Sequence, residues 1–110
     1  MRQYLIDELS FLEYDNIDNF LKRNLQPGPL DGVFWLEVPQ DLLAPAQLAH
    51  PDCGPFYLSV ILEKTSVRFE FLVRSSHNMR CSCIDWASPA QRQFVLDFID
   101  NMIKEEFIMV

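Results

Sequence analysis

The clearest hydrophobic pattern lies between residues 56 and 74, where two apolar stretches flank a short polar segment. The first stretch reads FYLSVIL, and the second, VRFEFLV, alternates strictly between apolar and polar residues. In the second stretch one face carries Val67, Phe69, Phe71 and Val73. A period of two is typical of an antiparallel strand with one buried face. The pattern therefore predicts a β-hairpin and, with it, an antiparallel sheet.

Amphipathic helices are predicted towards both ends of the chain. The first begins at Ser10, which forms with Glu13 the S-x-x-E pattern of a capping box, and it ends before a Pro-Gly-Pro segment. The second begins at Ser88, followed by Pro89 at the first helical position and by Gln91 as the capping-box partner. Apolar residues recur every three or four positions in both, so each helix has one face for a core.

Two more strands are predicted, at residues 33–38 (VFWLEV) and 80–86 (RCSCIDW). The second of these alternates again and would complete a three-strand meander with the hairpin. Residues 3–9 fit either a backward extension of the first helix or a short edge strand, and we favour the helix. The proline-rich connection of residues 39–55 is long for a structureless loop. We expect it to contain a helical turn that begins at Pro45.

Leucines of this connection, namely Leu42, Leu43 and Leu48, are expected to pack against the core. The order of elements is helix, strand, long connection, three-strand meander, helix. An antiparallel sheet of about four strands needs cover on one face, and the two helices supply it. We therefore predict a single α+β domain over residues 1–110, a two-layer sandwich with the N- and C-terminal helices packed on one face of the sheet.

Composition narrows the range of partners and compartments. The chain of 110 residues carries a formal net charge of -7, which repels the phosphate backbone of nucleic acids. No segment approaches the roughly 20 apolar residues of a membrane-spanning helix, and the N-terminus does not resemble a secretory signal. Three cysteines in such a chain fit reduced thiols better than a disulfide framework. We expect a cytoplasmic protein that binds neither nucleic acid nor membrane.

The outer face of the predicted sheet offers a surface for another protein. Candidate contact residues are the arginines and aromatics on or beside the strands: Arg68, Arg74, Arg80, Tyr57, Trp35 and Trp86. Aromatic area and arginine are enriched at protein interfaces. The alternative interpretation is that these arginines are solvated side chains on the exposed face of a sheet.

Cysteines and histidines form the most suggestive chemical pattern, H-x-x-C followed later by H-x-x-x-C-x-C. The residues are His50, Cys53, His77, Cys81 and Cys83. Thiolate and imidazole are the ligands that Zn²⁺ prefers, and four donors from two segments make a structural site. Against a metal, a C-x-C pair within a strand holds its Cα atoms about 7 Å apart, too far for comfortable chelation unless the strand breaks. The alternative is that the cysteines are small buried thiols.

Function is therefore expected to be binding, without catalysis. Cys53 is the best-placed nucleophile, but no signature of a cysteine enzyme surrounds it, and no glycine-rich phosphate loop is present. We expect a non-enzymatic, protein–protein interaction or chaperone-like module without a cofactor, acting through sheet-face or edge contacts with another protein or with itself as a homodimer. In size, acidity and order of elements the chain is similar to small secretion chaperones, without a shared motif. The alternative is a protein with a zinc or thiol site.

Overall fold

The structure, a computed structural model, describes residues 2–106 and 108. The helices are α1 (Phe11–Asn24), α2 (Pro45–Leu48) and α3 (Pro89–Glu106). The strands are β1 (Gln3–Ile6), β2 (Gln26–Pro27), β3 (Val33–Glu37), β4 (Phe56–Leu62), β5 (Val67–Glu70), β6 (Leu72–Ser75) and β7 (Asp85–Trp86). Single turns of 3₁₀ helix lie at Gln40–Leu42 and Pro51–Cys53.

The described strands form one antiparallel, seven-stranded sheet in the order β1-β5-β4-β3-β2, with β6 paired to β4 and β7. The predicted α+β class is confirmed. The predicted number of about four strands is wrong, because one expected strand is divided and short strands were added at the edges. Within residues 2–106 and 108, no helix combines the length and the apolarity that a membrane crossing requires.

The second half of the predicted hairpin is divided at Phe71 into β5 and β6. The Phe71 N–H donates to the Arg2 carbonyl at 2.9 Å, and the Phe71 carbonyl accepts from the Ala87 N–H at 2.6 Å. The strand paired with this segment therefore changes at Phe71: β5 before it pairs with β1, and β6 after it pairs with β7. Alternating burial continues across the division. The side-chain pattern therefore gave no sign of the change of partner.

The N-terminal segment is an edge strand, so the helix favoured for residues 3–9 is wrong. Every residue of β1 is paired with β5, from Gln3 opposite Glu70 onward. Leu5 points outward and is 49% exposed, whereas Ile6 is buried. Glu8, with φ at 56°, adopts the left-handed conformation, which ends any backward continuation of α1. Helix α1 begins after the Ser10 cap, as predicted.

Both long helices cover the same face of the sheet, as predicted. The Phe98 ring of α3 makes edge contacts with Phe20 of α1, at 5.5 Å between centroids, and with Phe69 of β5, at 6.1 Å. The helices also bury their apolar stripes in this core: Ile17, Leu21, Val95, Ile99 and Met102. The other face of the sheet lacks a helical cover in the described part of the chain and is called the outer face below.

The long connection is fixed to α3 by a buried pair of amides. Helix α2 begins at Pro45, as predicted, but the expected packing of Leu48 is wrong, since this side chain is 53% exposed. Gln47 is buried instead. The Gln91 side-chain amide donates to Gln47 Oε1 and to the Leu42 carbonyl, each at 2.9 Å. A buried amide needs such partners, and here they dock the connection onto the start of α3.

Candidate metal centre

Four of the five predicted metal ligands meet at one place. The ligand atoms of His50, Cys53, Cys81 and Cys83 all lie within 4.8 Å of one another. Cys81 Sγ is 3.1 Å from His50 Nδ1 and 3.3 Å from Cys53 Sγ. All three cysteines are free thiols. We call these four residues the Cys₃His cluster. The fifth predicted ligand, His77, is exposed and lies outside it.

The first pair of donors comes from the single 3₁₀ turn that precedes β4. The Cys53 N–H donates to the His50 carbonyl at 3.0 Å. Side chains three residues apart lie above one another in 3₁₀ geometry. Pro51, at the first position of the turn, favours this backbone because its φ is already fixed. The H-x-x-C spacing is thereby converted into two donors on one side of the chain.

The second pair comes from a pair of turns where a strand was expected. Only Asp85–Trp86 of the predicted strand 80–86 is extended. Asn78 starts the first turn: its Oδ1 accepts from the Arg80 N–H at 3.1 Å, and its carbonyl accepts from the Cys81 N–H at 3.3 Å. The Ile84 N–H then donates to the Cys81 carbonyl at 3.2 Å. Asparagine favours such turns because its side chain can form hydrogen bonds with nearby backbone groups, which are then not available for strand pairing.

These turns remove the geometric objection to a metal. The separation of about 7 Å between Cα atoms assumed an extended C-x-C segment. Here the backbone between Cys81 and Cys83 is folded, and the Cys83 N–H donates to Cys81 Sγ at 3.4 Å. A backbone N–H aimed at a sulfur stabilises its thiolate form, which is the form that binds metal.

One buried hydroxyl holds the two segments together. Strand pairing places Ser75 opposite Phe56, so the chain leaving Cys53 runs beside the chain that leads to the turns. Ser75 Oγ donates to the Cys53 carbonyl. It also accepts from the N–H groups of His77, at 3.2 Å, and Asn78, at 2.9 Å. Ser75 therefore fixes the approach of both donor segments before any metal is considered.

The dimensions of the cluster suit a tetrahedral ion. Ligands at the usual zinc distances of about 2.0 to 2.3 Å lie about 3.3 to 3.8 Å apart in a regular tetrahedron. Two separations in the cluster are 3.1 and 3.3 Å, and all of them lie within 4.8 Å, a range that includes these values. Cys53 and Cys83 are buried, and His50 and Cys81 are partly exposed. The cluster thus has its inner side within the protein and one side near the surface.

The three thiols differ in acidity without metal. Hydrogen bonds from the Cys83 side chain and backbone lower the pKa of Cys81 to about 7. The hydrogen bond to Cys81, with desolvation, raises the pKa of Cys53. Desolvation raises the pKa of Cys83 to about 12. Cys81 is therefore the first of the three to become a thiolate, the nucleophilic and metal-binding form.

Three of the six predicted contact residues also converge, on the outer face. The rings of Trp35 and Tyr57 are stacked with centroids 4.1 Å apart, and Tyr57 is paired with Arg74 across the strands. These residues line one side of a groove of about 220 Å³. Met79 and Ile84, from the turns that carry the cysteines, also line it. We call this feature the outer groove.

The other three candidate residues lie apart from the outer groove. Arg68 is opposite Ile61 on the outer face, and its Nη1 is 3.7 Å from Glu63 Oε1. Arg80 is exposed within the first turn. Trp86 is in β7, where the Arg2 guanidinium lies 4.6 Å from the centre of its ring.

Sequence reasoning missed the residues that connect the two sites. The sequence pattern assigned no role to Ser75, although a serine before a turn is a common acceptor for backbone N–H groups. Met79 and Ile84 gave no signal, since their place in the groove depends on the turns replacing a strand. No protein-family model, curated protein or solved structure matches this chain.

Proposed function

We propose that the protein is a small, non-enzymatic, cytoplasmic zinc-binding module, in which His50, Cys53, Cys81 and Cys83 hold one Zn²⁺ as a structural ion. The supporting observation is that three thiols and one imidazole from two segments have their donor atoms within 4.8 Å of one another. Zinc is the metal that most often takes three thiolates and one imidazole in tetrahedral geometry. The proposed cytoplasmic location is a reducing compartment, which keeps cysteine thiols available as metal ligands.

The donor set favours a structural role over a catalytic one. Catalytic zinc keeps an open position for water or substrate, whereas four protein donors complete the tetrahedron. Half of the donors here, Cys53 and Cys83, are buried. The ion would cross-link the two donor segments that Ser75 already holds together. Its binding free energy would stabilise this end of the fold.

Metal analysis of untagged protein tests the proposal. We expect one zinc per chain in the wild type and loss of zinc in His50→Ala, Cys81→Ala and Cys83→Ala. His77→Ala is the matched control, because this histidine lies outside the cluster, and it should keep its zinc. Replacement by Co²⁺ should give the intense visible absorption of a tetrahedral thiolate site. Less than about a tenth of an equivalent of zinc in the wild type after growth with zinc would refute the proposal.

We further propose that this module acts by binding another protein. The stacked, partly exposed Trp35 and Tyr57 support this, since an aromatic pair beside an arginine is the composition of interface centres. A second copy of the chain is the other partner to consider. Strand β1 is the terminal strand in the sheet order, and Leu5 on it is exposed. Such an edge can pair with its twin in a homodimer.

Light scattering after size exclusion separates the two kinds of partner. A dimer through β1 would be abolished by Leu5→Lys, which places a charge on the edge strand. A monomer over the whole concentration range would exclude the homodimer and leave a different protein as the partner.

A further inference from the structure

The outer groove combines two walls of different origin. One wall is the Trp35 and Tyr57 stack on strands β3 and β4. The other is formed by the turns of the Cys₃His cluster, through Met79 and Ile84. Met79 is 89% exposed, although it is a large apolar side chain. An apolar side chain inserted between these walls would remove apolar surface of both from water.

Charge in the groove is of one sign. Among the described residues that line it, Arg74 is the only charged one, on a chain whose net charge is -7. The nearest acid of Arg74 is Glu70, with an Nη2–Oε1 distance of 3.8 Å, and both side chains are partly exposed. An exposed ion pair of this length contributes little, so the guanidinium remains able to bind a carboxylate.

We infer that the outer groove binds a peptide segment of another protein in which an apolar side chain is followed closely by a carboxylate. The apolar side chain contacts Trp35, Tyr57 and Met79, and the carboxylate is bound by Arg74. The negative charge of the rest of the chain repels strongly acidic polymers. The ligand therefore carries one or two acids beside its apolar residue. This inference depends on the proposed binding of another protein and adds the chemistry of the partner.

Selection from a library of random seven-residue peptides displayed on phage tests the inference, with wild-type protein of measured zinc content as bait. We expect enriched sequences to pair an aromatic or aliphatic residue with Asp or Glu within two positions. A synthetic peptide of the enriched sequence is then compared by fluorescence anisotropy with its Glu→Gln or Asp→Asn counterpart. The uncharged counterpart should bind at least about tenfold more weakly.

Protein variants locate the binding site. Arg74→Gln and Met79→Glu should each weaken binding of the acidic peptide at least about tenfold, because one removes the cation and the other adds a repelling charge. Lys104→Gln is the matched control. It removes one positive charge from the exposed side of α3 and should leave binding unchanged. Circular dichroism of each variant establishes that it is folded.

The outcomes separate this inference from both proposals of function. Enrichment of peptides without acids, or equal binding to wild type and Arg74→Gln, overturns the inference and leaves binding to another protein as proposed. The absence of any enriched peptide overturns the inference and counts against that binding as well. A full equivalent of zinc in the same preparation would leave the metal proposal intact in each of those cases. Acidic peptides that depend on Arg74 support the inference, whatever the zinc content.

Discussion

Cys53 and Cys81 are 28 residues apart in the sequence, and their sulfur atoms are 3.3 Å apart in the fold. The pairing of β4 with β6 brings their two segments together, and the Ser75 hydroxyl bonds to both of them. Sulfur atoms this close are within hydrogen-bonding distance of each other, and they suit two chemistries, a metal bound between the thiolates and oxidation to a disulfide. Both chemistries can be measured.

Removal of the metal should destabilise the protein strongly. A ligand that binds only the folded state at about 1,000 times its Kd adds about 4 kcal/mol to the free energy of unfolding. For a domain of this size, that corresponds to a melting temperature higher by more than about 15 °C. A thermal scan with and without a strong zinc chelator measures the difference. His77→Ala should show the same difference as wild type, and a chelator-independent melting temperature would contradict a bound structural ion.

Zinc affinity should rise steeply with pH. Cys53 and Cys83 have a raised pKa without metal, and binding requires both as thiolates. Between pH 7 and 8 each bound zinc should release about two protons, so the logarithm of the affinity should rise by about two per pH unit. Below the pKa of Cys81, which is about 7, a third proton should be released and the slope should steepen. Competition with a chromophoric chelator measures the slope, and a value of one or less would contradict the assignment of three thiolates.

The metal-free protein should form a disulfide between Cys53 and Cys81 on exposure to hydrogen peroxide. Cys81 reacts first, because its lowered pKa makes it the thiolate and it is partly exposed. The two thiols lose two protons and two electrons, the S–S bond forms, and peroxide is reduced to two waters. Mass spectrometry of the intact chain should show the loss of two hydrogens, and peptide mapping should identify the pair.

Bound zinc should slow this oxidation, because a thiolate whose lone pair is coordinated to the metal is a weaker nucleophile towards peroxide. Equal oxidation rates with and without zinc would show that the metal is bound elsewhere. A disulfide in peptide maps that joins Cys83 to either of the other cysteines would contradict the expected pair.

Ser75→Ala should destabilise the fold and weaken zinc binding. The substitution leaves the Cys53 carbonyl and two backbone N–H groups without their partner, at a cost of about 1 to 3 kcal/mol. The adjacent Ser76→Ala is a matched control, because Ser76 Oγ has no hydrogen-bond partner to lose among the described residues. Urea unfolding of both variants tests the difference. An equal effect of the two substitutions would show that the Ser75 hydroxyl does not link the segments.

The local pattern of residues was sufficient for the fold class. Ser10 and Glu13 begin α1, Pro45 begins α2, and the alternation from Val67 to Val73 matches alternating burial. Caps, prolines and periodic apolar positions act within a few residues, so they can be read without coordinates. The same pattern could not show that Phe71 changes its hydrogen-bond partners, because burial alternates identically on both sides of the division.

The sequence by itself determined which residue types were present for a metal centre, in the spacings H-x-x-C and C-x-C. Only the tertiary structure decided that four of them meet and that His77 does not. The reason is that the Cys81 segment folds as turns started by Asn78, and that strand pairing at Ser75 sets it against Cys53. The tertiary structure also decided that residues 3–6 form the edge strand β1, since this strand pairs with β5, more than sixty residues away in the sequence. Contacts between distant segments leave no local trace in the chain.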